Sequence, residues 1–235
     1  MKRPITTLFL LSSVDGKIST GATDALDVDR DFPRIAGVRE GLYQYYEIEQ
    51  TTDLWSFNSG RVQAKMGVNE KPMPDKTPVS FVLVDNRHLT EHGVRYFCAL
   101  SATFVLITTN PHHPAFSVEA DNLDILYQPT LSLAAALSYL TERHGCEHLT
   151  VQSGGTLNAL FLREGLLDRV HIVVAPVLIG GRDTATVIDG ASLRAPTQLS
   201  SLGVLRLLSA TPLKDSYLAL SYEVVRPTVV CETDA

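Results

Sequence analysis

Two stretches constrain the fold of this chain more than any others. Val79–Val84 (VSFVLV) and Thr103–Ile107 (TFVLI) are apolar almost without interruption. A strand with one wet face alternates apolar and polar residues. A continuous run is therefore buried on both faces, which is the habit of parallel strands covered by helices. Seven further runs read as strands: Thr6–Ser12, Asp53–Phe57, Leu123–Tyr127, His148–Val151, Val170–Val174, Gly203–Ser209 and Ser216–Val225. Helical patterns lie between several of them. Leu131–Arg143 is rich in Ala and Leu and is followed by Gly145, a residue type suited to a C-cap. Thr156–Glu164 stops at Gly165, and Gly37–Gln50 carries Tyr43, Tyr45 and Tyr46. The spacing predicts an α/β fold: a central, mostly parallel sheet flanked by helices, with antiparallel C-terminal edge strands.

The chain has 235 residues, and no part of it holds a complete sheet alone, so one domain is expected over 1–225 with a flexible tail over 226–235. Lys71–Pro78 contains three prolines and reads as an exposed loop rather than a boundary. The net charge is −6, which disfavours a general nucleic-acid partner and docking on anionic membranes. The apolar run Ile5–Leu11 follows Lys2 and Arg3 but leads to Asp15 and Lys17, so it reads as a first strand and not a secretory leader. No run reaches the roughly 18 apolar residues of a membrane span. Three irregularly spaced cysteines, Cys98, Cys146 and Cys231, imply no disulfide framework and fit a reducing cytoplasm.

Four local patterns are candidates for chemistry. In Val151-Gln152-Ser153-Gly154-Gly155-Thr156-Leu157-Asn158 a strand meets two glycines and a helix begins at once. Glycines let backbone approach a ligand, and a helix start suits a phosphate; a plain strand-to-helix turn has the same pattern. Ser13-Val14-Asp15-Gly16-Lys17, just past the first strand, sets a carboxylate and an ammonium two residues apart, either at the ligand crevice of an α/β sheet or in a simple Asp-Gly turn. Ala175-Pro176 and Gly180-Gly181-Arg182 form a glycine-bearing loop. His144, Cys146 and His148 are close in sequence but lack a fourth ligand at a recognisable spacing, so no metal is expected. His112-His113, between two prolines, reads as loop.

Taken in order, these pieces resemble one family, the riboflavin-biosynthesis pyrimidine reductases: the C-terminal reductase domain of the bifunctional deaminase/reductase and its stand-alone relatives. Ser13-Val14-Asp15-Gly16-Lys17 resembles its S-x-D-G-K, and Ser153–Asn158 its G-G-G-T-L-N. Asp168–His171 with Ala175-Pro176 and Gly180-Gly181 resembles its D-[EV]-[LV] strand and A-P-x-x-x-G-G, and Val82–Asp85 its V-V-x-D strand end. The resemblance runs from about residue 5 to 225. It implies a dihydrofolate-reductase-like fold, a homodimer, and NADPH as the cofactor. It also implies reduction of 5-amino-6-(5-phosphoribosylamino)uracil or a close relative, with hydride transfer opening the ribose. Carried over by position, Asp15 and Lys17 would be catalytic and face the substrate. Gly154, Gly155, Thr156 and Leu157 would hold the cofactor pyrophosphate, with Asn86, Arg87, Thr108 and Thr109 near its adenosine 2′-phosphate. Ser13, Asn58, Gly60 and Arg61 would bind substrate. The chain departs from the family at Gln152, where a glutamate is usual, and at Asn58 and Arg61, which replace a glycine and a threonine. These changes leave open a reductase for another polar heterocycle or carbonyl compound, or a non-catalytic nucleotide-binding relative.

Overall fold

A computed structural model describes residues 2–231. These residues gather into two compact units, one of residues 2–5 and 53–153, the other of 6–52 and 154–231. The last four residues of the expected tail, from 232 on, lie outside the described residues; before them, Arg226 pairs with Asp168 and the Thr228 hydroxyl donates to the Leu202 carbonyl.

The unit holding 53–153 contains five parallel strands in the order β5-β4-β3-β2-β6. These are β2 (Trp55–Ser59), β3 (Ser80–Val84), β4 (Phe104–Thr108), β5 (Leu123–Tyr127) and β6 (His148–Val151). Every residue of β4 is buried, as its unbroken apolar sequence requires. Helix α4 (Glu91–Leu100) packs Val94 and Phe97 against Leu83, Phe104 and Leu106. The Thr90 side chain caps its first turn, accepting from the Gly93 N–H at 3.3 Å. Helix α5 (Leu133–His144) is capped by Ser132 and ends at Gly145 in the left-handed region, φ 65°, as its sequence predicts.

In the other unit β1 (Ile5–Ser13) pairs parallel with β7 (Arg169–Ala175). Among the strands of the described residues, antiparallel pairing joins only β7, β9 (Leu218–Val225) and β8 (Val204–Pro212). The expected fold class therefore holds in both respects: mostly parallel strands, with antiparallel edge strands at the C-terminal end. The core here joins Phe9, Leu11, Val173 and Ala175 to Val28, Phe32, Leu42 and Tyr45, with the Phe9 and Tyr45 rings stacked at 5.1 Å. Helix α6 (Gly155–Arg163) follows β6 directly.

The helices are where expectation and structure part. Gly37–Gln50 is helical only over α2 (Tyr43–Glu49), because Gly37 takes φ 86° and residues before Tyr43 turn. Helices α1 (Val28–Asp31) and α3 (Gly60–Lys65) are too short to show a periodic apolar stripe in sequence, and α4, though its Val94 and Phe97 share one buried face, spans only ten residues and contains Gly93. No helix among the described residues is long and apolar enough to cross a membrane.

Candidate functional site

The β1 end is a tight turn. Gly16 donates to the Ser13 carbonyl at 3.0 Å, and the Lys17 N–H donates to Ser13 Oγ at 2.9 Å. Asp15 and Lys17 are both engaged by the chain's own 177–187 segment. Asp15 accepts from the Ile179 and Gly180 N–H groups at 3.0 and 2.6 Å, and from Ser13 Oγ at 2.6 Å. Lys17 Nζ donates to the Gly181 and Thr184 carbonyls at 2.8 and 3.0 Å. The Ser13 hydroxyl first, then the Ile179 N–H, hold the Asp15 carboxyl at about 2, against a smaller upward push from desolvation. At neutral pH Asp15 therefore has no proton to give. Asp15 is thus held by Ser13 Oγ and two backbone N–H groups, and Lys17 by two backbone carbonyls.

The α6 start is equally occupied. Gly154 is the N-cap, without a side-chain bond, and Thr156 is exposed. A Cβ on Gly155 would lie 2.3 Å from both the Thr186 carbonyl and Asp189 Oδ2. The glycine predicted to admit a ligand thus admits a protein strap, which the Asp189 N–H ties to the Gly155 carbonyl at 3.0 Å. The buried Asn158 amide holds the same strap by donating to the Val187 carbonyl at 2.9 Å. The β-branched sequence Thr184–Ile188 is the signal that marks this segment, and Thr186 bridges to Lys17.

In the other unit, the carboxyl ends of β3 and β4 carry the most organised polar cluster. Asn86 Oδ1 accepts from the Thr109 N–H at 2.7 Å and from Thr108 Oγ1 at 3.1 Å, while Asn110 Nδ2 donates to the Asn86 carbonyl at 2.8 Å. With its oxygen so engaged, the Asn86 side chain turns its NH2 away from these partners. Arg87 beside it is exposed. Just before them, Asp85 is fully buried. It accepts from the Leu89 N–H at 2.9 Å, His113 Nε2 at 2.9 Å and His88 Nδ1 at 2.9 Å. Burial pushes its carboxyl up, but the His113 ring, the Leu89 N–H and His88 outweigh that and hold it at about 2. His113 is thus no mere loop residue: it caps the one-turn 3-10 helix Pro114–Ser117 and sits buried against Asp85. The prolines on either side of the His pair hide this role in sequence.

Of the expected substrate contacts, Ser13 and Asn58 are buried and Arg61 is exposed. Asn58 is committed to a relay: Gln63 Nε2 donates to Asn58 Oδ1 at 3.2 Å, Asn58 Nδ2 to Ser56 Oγ at 3.0 Å, and Ser56 Oγ to Gln152 Oε1 at 3.0 Å. Gln152, where the family has a glutamate, is therefore linked through Ser56 to Asn58, where it has a glycine. Gly60 is required for packing, since a Cβ there would lie 2.4 Å from Asp85. His144 Nε2 is paired with Asp124 at 2.8 Å, and the buried Cys146 points its thiol at the His148 carbonyl. Among the described residues no three His, Cys, Asp or Glu gather as metal ligands do.

Residues 4–211 match the model of the RibD C-terminal domain. The chain belongs to the RibD C-terminal domain family. A curated relative from Methanothermobacter thermautotrophicus, 2,5-diamino-6-ribosylamino-4(3H)-pyrimidinone 5′-phosphate reductase, is 26% identical over 198 residues, covering 81% of this chain and 86% of that protein. The riboflavin biosynthesis protein RibD of Actinobacillus pleuropneumoniae is 24% identical, over 96% of this chain but only 58% of its own length. Acinetobacter baumannii RibD superposes with a TM-score of 0.66 at 18% identity, over 95% of this chain and 59% of that one. The family match includes the Ser13–Lys17 turn, the Asn86 cluster and the α6 start, so every expected site residue lies within the RibD C-terminal span.

Proposed function

We propose that this chain is an NADPH-dependent reductase of a ribosylamino-pyrimidinone 5′-phosphate. The observation that carries the reading is the Asn86 cluster, within a chain whose family match spans residues 4–211. An amide fixed by two donors and an exposed guanidinium next to it fit a phosphate dianion through charge-assisted hydrogen bonds. Asn86 and Arg87 hold the adenosine 2′-phosphate, and Thr108 and Thr109 hold Asn86. In the other unit, Gly154, Gly155, Thr156 and Leu157 form the expected cradle for the pyrophosphate, with Gly154 and Thr156 as the contact positions. A nicotinamide cofactor supplies the hydride. Asp15 and Lys17 act as positioning residues that keep the 177–187 segment in place, and Ser13 holds Asp15. Gly60 and Arg61 remain the candidates for substrate contact, while Asn58 acts through Gln152. The protein works as a cytoplasmic homodimer, with the exposed edge strand β8 as the contact surface.

Titration with NADPH and NADH, followed by nicotinamide fluorescence, tests the cofactor. NADPH should bind in the micromolar range and NADH more weakly. Arg87→Ala should lower that preference by about tenfold, the worth of one charge-assisted bond. Binding of neither cofactor would overturn the reading. The rebuilt Asn58–Gln152 relay favours a second reading, a different acceptor for the same hydride. NADPH oxidation with other carbonyl compounds, but not with the ribosylamino-pyrimidinone, would select it.

A further inference from the structure

Next to Asn86 and Arg87 stands an imidazole that neither the family motifs nor the cofactor reading uses. His88 Nδ1 lies 2.9 Å from the buried Asp85 carboxylate, and its backbone N–H donates to the same group at 3.0 Å. The His88 carbonyl is held by Asn69 Nδ2 at 2.8 Å. The ring is thus fixed at one nitrogen and at both sides of its backbone. Its side chain is still 34% exposed, and Nε2 has no partner among the described residues. Gly60 packs directly on Asp85, so the carboxylate cannot turn away from the ring without displacing α3.

The tautomers follow from the hydrogen bonds. The His113 Nδ1 accepts the Ala115 N–H at 3.0 Å, so its proton is on Nε2, facing Asp85, and His113 is neutral. The buried Asp85 charge therefore has no full cation among its inner partners. The His88 Nδ1–H donates a hydrogen bond to the ionised Asp85, which leaves Nε2 a bare acceptor in the neutral ring. A carboxylate behind an imidazole stabilises the imidazolium when a proton arrives at the far nitrogen, as in catalytic triads. His88 contacts Asp85 at the β3 end and the uncharged Asn69 from the segment after α3; His113, from the segment after β4, shares the Asp85 carboxylate, and Arg87 is its neighbour in sequence.

We propose that His88 is a proton-linked anion contact: its imidazole, oriented by Asp85, takes up a proton at Nε2 when a phosphate monoester dianion binds beside Asn86 and Arg87. The proton comes from solvent and no bond to phosphorus forms or breaks. The inference rests on the reading that the β3 end holds a phosphate; that phosphate is the cofactor's 2′-phosphate or the substrate's 5′-phosphate, which share this chemistry. Arg87 gives constant charge, and His88 makes the affinity fall as pH rises.

The test compares wild type with His88→Gln, using NADPH, NADH, adenosine 2′,5′-bisphosphate and ribose 5-phosphate between pH 6.5 and 8.5. The phosphate's own second ionisation, near 6, is common to both proteins, so the ratio of their dissociation constants isolates the imidazole. The ratio should be about tenfold at pH 6.5 and shrink towards one by pH 8.5, with NADH unaffected throughout. The effect on the bisphosphate assigns the site to the cofactor, and an effect on ribose 5-phosphate assigns it to the substrate. A ratio of one for every phosphate at every pH overturns the proposal. Wild type that binds neither NADPH nor NADH defeats the cofactor reading alone, since the ribose 5-phosphate arm still probes His88. Calorimetry on wild type in buffers of different ionisation enthalpy at pH 8, where the phosphate is almost entirely dianionic, needs no variant: net proton uptake with a phosphate ligand and none with NADH supports the proposal, and equal uptake with both overturns it.

Discussion

At the scale of single residues, Asp85 is the group on which most local structure converges. Its carboxylate receives two imidazoles and two backbone N–H groups in a buried position. Its folded pKa, about 2 against an ordinary 3.8, contributes stability that is complete above the ordinary value and is lost as pH falls towards 2. The difference is worth about 2 kcal/mol. Asp85→Asn puts an NH2 where only acceptors are wanted, which costs about 2–4 kcal/mol. Thermal unfolding at pH 7 should therefore drop by about 5–15 °C, and the gap to wild type should narrow between pH 4 and 2. A constant gap would mean that the carboxylate's charge does not matter. Sequence showed Asp85 as a strand-end residue but hid its partners. His113 lies 28 positions away, and its pairing depends on a loop path that no local pattern encodes. Asp15 and Lys17 were visible as a charge pair for the same reason that their direction was not: the turn is local, whereas the 177–187 segment that claims both is distant in sequence.

At the scale of elements, strands were readable and junctions less so. Each of the nine expected runs coincides with a strand, and β3 and β4 are buried as their apolar sequences predict, whereas β8 is apolar in sequence yet exposed throughout. The α6 start shows the limit. Two glycines predict a close approach without saying what approaches, and at Gly155 it is the 186–189 strap. In a first helical turn alanine is ordinarily favoured over glycine by up to about 1 kcal/mol. Here the added Cβ would meet the Thr186 carbonyl, a backbone atom that cannot rotate aside. Gly155→Ala should instead destabilise by about 1–3 kcal/mol, read as a lowered denaturant midpoint. It should also raise hydrogen exchange at the Asp189 N–H, which the strap bonds to Gly155. A stabilised variant would show that the strap does not sit against this turn.

For the whole molecule the decisive feature is an edge. Every residue of β8 is exposed, and it is bonded only to β9. The register shifts between Leu207 and Ser209, so Leu208 is an extra residue that breaks the alternation. Leu207 and Leu208 are consequently 53% and 57% exposed, with Val204 and Leu205 beside them. A nine-residue edge strand whose first half carries four exposed apolar side chains is a template for another strand, and natural proteins cover or charge such edges. This one carries Arg206, but that guanidinium is paired with Glu223 and leaves the leucines uncovered. A second copy offers the same strand, and a two-fold axis lets antiparallel β8 strands meet while burying both sets of leucines in one self-complementary contact. Light scattering at micromolar concentration should therefore give a dimer for wild type. Leu207→Glu combined with Leu208→Glu sets like charges against each other across that axis and should give a folded monomer, with far-UV circular dichroism unchanged because neither leucine is part of a core. A monomeric wild type would remove the dimer, and a double variant that stays dimeric would move its interface away from β8.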